Sequence, residues 1–484
     1  MSPGDFFTVE LVGKIICELK TGRAPGIDNL STEHLLHCHP SAILLVTYIC
    51  NLILLTGHVP VQMTQGVTYP LAKNKLGLKA TSFDDFRGIT VSSAISKILE
   101  KCILEQFVKY FYSADHQFGF KKGIGCRDAI FCLRSTVDHF VHNNSNANIC
   151  SLDVAKAFDR VNQFSLLLKL MERLLPVNLI LLLFNWFILS TACINWLGAI
   201  SLPYRISAGV RQGGVLSPFL FAIYVNDVIL SICDHGLGCH LSMQCVSIIM
   251  YADDVILIST SLSKLQLMIY LCIKEFRDVD LLVNPKKSAC IRIGKKFKNE
   301  LPELLIDNSP IPWSSQLVYL GITILPSSNF SVDLKPIRTK FYKSFNAIYG
   351  KVFKANEFLI VSLTKSFCLA VLMYSLEALI LNNSNLRSLD NLLHNAFGKI
   401  FKTFDKNILS SCMYYMNTLT ISLEYVKRRF KFLSKLDHSD NSIIFTWWVV
   451  NGKQELMNII NTIKLDDNNC NIDRHIWNMF SSSL

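Results

Sequence analysis

Two short apolar runs, Val246 to Met250 and Val255 to Ser259, flank the tetrapeptide Tyr251-Ala252-Asp253-Asp254. Runs of this length around so brief a polar step predict a β-hairpin with acids at its tip. Alone, such a tip is an exposed turn. A third acid changes its weight: Ile149 to Val154 is another apolar strand, with Asp153 near its end, and Gln163 to Leu175 has helical spacing just after it. Carboxylates delivered from separate strand ends are what two-metal phosphoryl transfer needs, because only anionic oxygens hold hard divalent ions about 4 Å apart.

Around these segments the pattern is mixed. Asp5 and Thr8 precede an amphipathic run to Leu19, the turn TGRAPGID follows, and a second helical pattern extends through Leu55. From Val67 the text changes to strand-like pieces, VTYPLAK and FRGITVSS, with helices expected over 96–110 and 128–141. Gly209, Gly213 and Gly214 mark a flexible loop, after which Ser217 is expected to cap and Pro218 to open the helix of the run 219–232. Val318 to Ile324 reads as one further strand, and beyond Pro326 the apolar periods are helical, over 337–348 and 363–381. The fold class expected is α+β.

A chain of 484 residues exceeds one ordinary core, so several packed subdomains are expected. Lys and Arg outnumber Asp and Glu by 48 to 37, a net charge of +11 that suits a polyanionic partner without proving one. Three basic series stand out: Lys286, Lys287, Arg292, Lys295, Lys296 and Lys298; then Lys335, Arg338, Lys340, Lys343, Lys351 and Lys354; then Lys427, Arg428, Arg429 and Lys431. Beside Phe297, Phe341, Tyr342, Phe345, Phe430 and Phe432 they suit a groove that grips phosphates and stacks bases.

The sixteen cysteines form no CxxC pair and no secretory leader is seen, which reads as reduced thiols of an intracellular protein. Two His/Cys groups, His34, His37, Cys38 and His39, and Cys233, His235, Cys239 and His240, lack a zinc-finger or knuckle spacing. The uncharged stretch from Leu174 to Tyr204 is long enough to span a bilayer, but Pro176, Asn178, Asn185, Asn195 and Gly198 interrupt it. Buried helices are expected there, and no membrane.

In order along the chain stand KTGRAPGIDNLSTEHLL, YPLAKNK with FRGITVSSAISKILEK, HQFGFKKGIGCRDAIFCLR, SLDVAKAFDRVN, AGVRQGGVLSPFLFAIYVND, YADDVILIS, LLVNPKKS and VYLGI. This series resembles the reverse transcriptase domain of non-LTR (LINE-like) retrotransposons, and FCLAVLMYSLEAL resembles their thumb segment. The resemblance runs from about Asp5 into the region after Pro326. It implies a right-hand polymerase, with an N-terminal extension over 1–66, fingers and palm over 67–325, and a helical thumb and C-terminal region over 326–484. The implied reaction is RNA-directed addition of deoxynucleotides to a primer 3′-end, with RNA template, DNA primer and deoxynucleoside triphosphates as partners and two Mg²⁺ or Mn²⁺ ions as cofactors.

By the same resemblance Asp153, Asp253 and Asp254 are the catalytic and metal-holding acids. Phe158, five residues after Asp153, takes the place of the steric gate, where a ring beneath the sugar excludes a 2′-hydroxyl; outside this context it would be a core aromatic opening a helix. Gln212 and Gly213 match the loop that meets nucleotide and template, with Arg211 beside them as a phosphate contact or a solvated charge. Lys73 and Arg87 match the triphosphate grip, and Tyr319, Leu320 and Gly321 the primer grip. Lys287 matches a lysine that acts as general acid near the pyrophosphate, or is one more member of its basic run.

Departures from the family pattern are Gly88 where proline is usual, Asn29 where glycine is common and Lys121 where arginine is frequent. No endonuclease precedes the polymerase segments and no C-terminal zinc knuckle is evident, so a truncated, polymerase-only product is expected, in nucleus or cytoplasm. A catalytically silent or domesticated nucleic-acid-binding relic of the same fold is the competing expectation.

Overall fold

Thr8 opens the first helix, Val9–Cys17, its hydroxyl accepting the Leu11 N–H at 3.1 Å. The computed structural model describes residues 6–73, 82–241, 243–464 and 471–482. Asp5, and Asn74 and Lys75 of YPLAKNK, lie outside them. The chain divides into two units of interleaved segments: Met1–Phe120, Asp153–Asp234 and Tyr270–Asn284 in the first, and Lys121–Leu152, His235–Ile269 and Pro285–Leu484 in the second.

In the first unit, Val9–Cys17 buries Val12, Ile15 and Ile16 and packs with the helices Pro40–Thr56 and Ala94–Gln106. Asn51, buried on the second of these, bonds the main chain of Phe6 and Phe7 at 2.8–2.9 Å and so pins the entry of the chain. The strand Gln65–Ala72 pairs antiparallel with Phe86–Ser92, from Gly66 opposite Ser92 to Ala72 opposite Phe86, and parallel with Thr191–Trp196. Asn29 has φ 55°, a left-handed conformation that asparagine tolerates better than other side chains, which accounts for its standing in for glycine.

The uncharged stretch after Leu174 corrects the sequence expectation. Only Val177–Leu189 is helical, about 20 Å long and too short to span a bilayer. Strands Thr191–Trp196, Ala199–Ile200 and Tyr204–Arg205 follow, because the β-branched run finds a parallel partner in Gln65–Thr68. Two other helical runs, Ser217–Asp234 and Glu357–Ala378, are long and apolar enough to cross a membrane by length and composition. Ser217 is the first residue of the helix Ser217–Tyr224 and not its cap, and the turn leading into the helix is held by the Glu100 carboxylate, which accepts the Val215 and Leu216 N–H groups.

The second unit is built on a four-stranded sheet in the order Ala289–Ile293, Ala147–Asp153, Asp254–Ser259, Ile248–Tyr251. The expected hairpin forms, Tyr251 pairing with Asp254 across the two-residue turn Ala252-Asp253. The single strand expected over 318–324 is instead a hairpin, Leu317–Tyr319 with Ile322–Leu325, because Leu320 (φ 42°) and Gly321 (φ 83°) turn left-handed between them. The helices Lys335–Val352, Asn383–Phe401, Ile421–Leu436 and Lys453–Ile463 follow. The pattern over 363–381 widens into a π turn at Thr364–Leu369, where the Thr364 hydroxyl donates back to the Ile360 carbonyl at 2.8 Å.

Within that helical part, Glu455 holds two guanidinium groups. It accepts from Arg134 at 2.8 and 3.1 Å and from Arg429 at 2.6 Å, and the two arginine side chains are only 2% and 7% exposed. Breaking such a buried set leaves uncompensated charge and costs about 3–5 kcal/mol. Glu455→Ala is therefore expected to lower stability by about that amount, read as a shift of the urea midpoint of the full chain, whereas Lys343→Ala on an exposed face shifts it by less than about 0.5 kcal/mol.

Candidate active site

The first unit holds Asp153 and all five residues matched to nucleotide binding. Asp153 ends its strand, and its carbonyl accepts the Asn284 N–H at 2.8 Å. Ala155 donates to Leu282 at 2.8 Å and Val154 bridges Val283, so the main chain beside the acid is held by the segment Leu282–Asn284. Five residues on, Phe158 stands in the 3₁₀ turn Ala157–Asp159. Its ring stacks on core Phe221 at 4.5 Å and meets Phe120 edge-on at 6.1 Å, which fixes the plane of a half-buried aromatic.

The glycine loop closes against that turn. The Val210 N–H donates to the Phe158 carbonyl at 2.8 Å, the Gln212 side chain donates to Asp159 Oδ1 at 3.0 Å, and the Gln212 carbonyl accepts the Thr90 N–H at 2.8 Å. Gly213 (φ 122°) lies so close to the Thr90 carbonyl oxygen that a Cβ there would overlap it. Thr90 belongs to Phe86–Ser92, the strand that also carries exposed Arg87. Exposed Lys73 directly follows the paired strand, its N–H donating to Asp85 at 2.7 Å. Gly88, opposite Pro70 in the register, has Thr68 Cγ2 3.0 Å from where a Cβ would sit, so a larger residue would crowd the ladder.

The second unit holds Asp253 and Asp254, Lys287 and the residues matched to the primer grip. Asp253 is half-exposed in the hairpin turn and Asp254 exposed at the start of its strand, with Ala252 left-handed at φ 58°. Burial pushes the Tyr251 phenol up to about 12, with the Cys126 thiol adding to the effect. Exposed Lys287 lies in the turn ahead of Ala289–Ile293. Tyr319 is 2% exposed and its hydroxyl has no partner; burial first, and the Asp254 charge second, hold its phenol well above the ordinary range. Beside it the Leu320 carbonyl accepts the Tyr374 hydroxyl at 3.1 Å, and Gly321 leaves space that a Cβ would take 3.2 Å from the Tyr374 ring.

Two charge expectations need correction. Arg211 is only partly exposed and its guanidinium faces inward, its Nη2 3.4 Å from Ser190 Oγ and its Nε and Nη1 buried without hydrogen-bond partners. The third basic series is neutralised by local acids, Lys427 and Arg428 by Glu424 at 2.7 and 2.8 Å, Arg429 by Glu455 and Lys431 by Asp473. Phe341, Phe345 and Phe432 are core rings, not stacking platforms. Lys335, Arg338, Lys340, Lys343 and Lys351 remain exposed on one helix, and Lys354 is exposed just beyond its end. His34 and His39, from one of the candidate zinc groups, bond Ser31 and Ser41 at helix starts. The described cysteines are free thiols.

Residues not singled out from sequence also shape the site. Glu100 is one, and its signal was an acid on the apolar face Ile98-Leu99-Cys102-Ile103. Asp159, Thr90 and Asn148 had no such mark.

A family model described as Reverse transcriptase (RNA-dependent DNA polymerase) matches residues 73–324, just over half of the chain. The chain belongs to the reverse transcriptase family. It is 26% identical over 343 residues to the probable RNA-directed DNA polymerase from transposon X-element of Drosophila melanogaster, covering 68% of this chain and 36% of that protein. It is 26% identical to the RNA-directed DNA polymerase from mobile element jockey of the same organism, covering 76% and 41%. It is 25% identical to the Pol polyprotein from the type-1 retrotransposable element R2 of Popillia japonica, covering 78% and 53%. The chain thus spans about a third to a half of these curated relatives. Among solved structures, apo telomerase from Candida tropicalis matches with 14% identity and a TM-score of 0.40, over 81% of this chain and 70% of that one.

The glycine loop yields a direct prediction. Gly213→Ala adds a Cβ against the Thr90 carbonyl and is expected to lower the thermal midpoint by several degrees. Gly123→Ala, at φ 80° but with open space, should cost only the left-handed strain of about 1 kcal/mol. Equal shifts in differential scanning fluorimetry would contradict the close packing of loop on strand.

Proposed function

We propose that this chain is an RNA-directed DNA polymerase acting by two-metal phosphoryl transfer, with Asp153, Asp253 and Asp254 as the metal-holding acids. One observation carries this: the strand ending at Asp153 and the strand beginning at Asp254 are neighbours in one sheet. Asn148, at the start of the first, donates to the Ser259 carbonyl at the end of the second, so the strands run in opposite directions and their acidic ends share an edge. The donor set is anionic oxygen at turns and strand ends, which suits Mg²⁺ or Mn²⁺. When bound, two such ions supply positive charge that favours ionisation of a primer 3′-hydroxyl and departure of pyrophosphate.

The chain's own residues divide the remaining work. Phe158, locked on Phe221, presents an edge that a 2′-hydroxyl would strike. Lys73 and Arg87 offer cations to a triphosphate, Gln212 and Gly213 a backbone surface to the nascent pair, and Lys287 a proton to the leaving group. Tyr319, Leu320 and Gly321 offer a rigid hairpin tip to the primer end. RNA template, DNA primer and deoxynucleoside triphosphates are the proposed partners, inside the cell.

Primer extension on an RNA template with purified full chain tests the assignment. Wild type should extend with Mg²⁺ and stop on chelation, Asp253→Asn should fall at least about a hundredfold, and Phe158→Ala should gain ribonucleotide incorporation. A clean wild type that binds RNA but never extends sinks the enzyme and leaves the silent relic.

Template grip should follow exposure. Lys343→Gln is expected to weaken RNA binding and lower the magnitude of the log K against log salt slope by about 0.7–1, whereas Lys431→Gln, already paired to Asp473, leaves it unchanged. Fluorescence anisotropy across a salt series reads both.

A further inference from the structure

Glu100 is a carboxylate only 6% exposed, on the helix Ala94–Gln106, and it does not reach solvent for its bonds. Its Oε2 accepts the Val215 N–H at 2.6 Å and the Leu216 N–H at 2.8 Å, while Oε1 accepts the Ser96 hydroxyl at 3.2 Å. Gly214 has no side chain at the one point where a Cβ would stand 3.3 Å from Oε2 and nearer still to Ser217 Oγ. Across a cavity of about 40 Å³ lined by Ser190, Trp186, Gly209 and Leu216 lies Arg211, whose Nε and Nη1 are buried without hydrogen-bond partners. The two opposite charges are the electrostatic neighbours of one another.

Between Arg211 and the Glu100-bound residues Val215 and Leu216 lie only Gln212, Gly213 and Gly214. The loop therefore has the inward-facing guanidinium of Arg211 near Ser190 at one end and is anchored by the buried Glu100 carboxylate at the other, with its crest pressed onto Thr90. Nothing in the proposed chemistry uses either charge directly. Charges removed from water at such cost fix geometry when their partners are main-chain groups of a single loop.

We propose that Glu100 and Arg211 are positioning residues for polymerisation, an internal charge couple that sets the height of Gln212 and Gly213 and so governs how tightly the incoming nucleotide is seated. This rests on the polymerase reading above. Glu100 holds the turn that leads into the helix Ser217–Tyr224, and the cost of its burial is offset by three donors and the nearby guanidinium.

Deoxynucleotide titrations of primer extension test it, with full-length wild type, Glu100→Gln, Arg211→Lys and the double variant. Each single variant should raise the nucleotide KM about tenfold or more with kcat changed by less than about threefold. The double variant should be no worse than the poorer single, since both act on one loop. A KM within about twofold of wild type in singles with native circular dichroism overturns the proposal, as does a multiplicative loss in the double. Should Glu100→Gln not fold, Arg211→Lys decides by the same split of KM and kcat. A wild type that does not extend removes the polymerase reading itself, which is thereby told apart from a failure of the loop assignment.

Discussion

Asn148 is fully buried at the start of the strand Ala147–Asp153 and ties it to both neighbours. Its Oδ1 accepts from Arg292 Nε at 2.7 Å on one side, and its amide donates to the Ser259 and Thr260 carbonyls at 3.0 and 3.1 Å on the other. A slip of one residue would take Asn148 away from these partners and move Asp153 off the sheet's end. One amide thus sets the register on which the acidic edge depends. Arg292, counted from sequence among phosphate-gripping cations, spends its Nε on this bond, and burial lowers its pKa.

The same sorting applies to the other charges. A run of basic residues carries no information about partners until the local acids are placed. Lys427, Arg428, Arg429 and Lys431 share one helix with Glu424 and meet Glu455 and Asp473 from others, so their charge is consumed in holding helices together. Lys335 to Lys351 lie on a helix whose buried side is Ile337, Phe341 and Phe345, leaving the cations outward. Composition alone could not separate the two, because both show the same alternation of lysine, arginine and phenylalanine.

Local pattern was enough for the elements that bury one face. The YADD hairpin, the strand ending at Asp153 and the helix after Thr8 are legible because apolar period, a cap residue or a two-residue turn specifies them within a few residues. It failed where distant partners decide. Thr191–Trp196 reads as part of an apolar helix until Gln65–Ala72 offers it a parallel edge. Ser217 reads as a cap, yet the helix begins on it, and the turn before it is held by Glu100, more than a hundred residues earlier. Leu320 adopts φ 42° against the preference of a leucine because the Leu317–Tyr319 and Ile322–Leu325 strands pair around it.

By itself, then, the sequence pointed to the family through an ordered series of segments that resemble it, and to the α+β class, and it offered Asp153, Asp253, Asp254 and Phe158 as candidate site residues. Only the tertiary structure decided what holds them. Phe158 became rigid through Phe221, Gln212 was tied to Asp159 and Thr90, and Arg211 turned its guanidinium into a cavity that Glu100 also lines. These are contacts between residues far apart in the chain, and their strength comes from burial, which excludes competing water and which no local run of letters records.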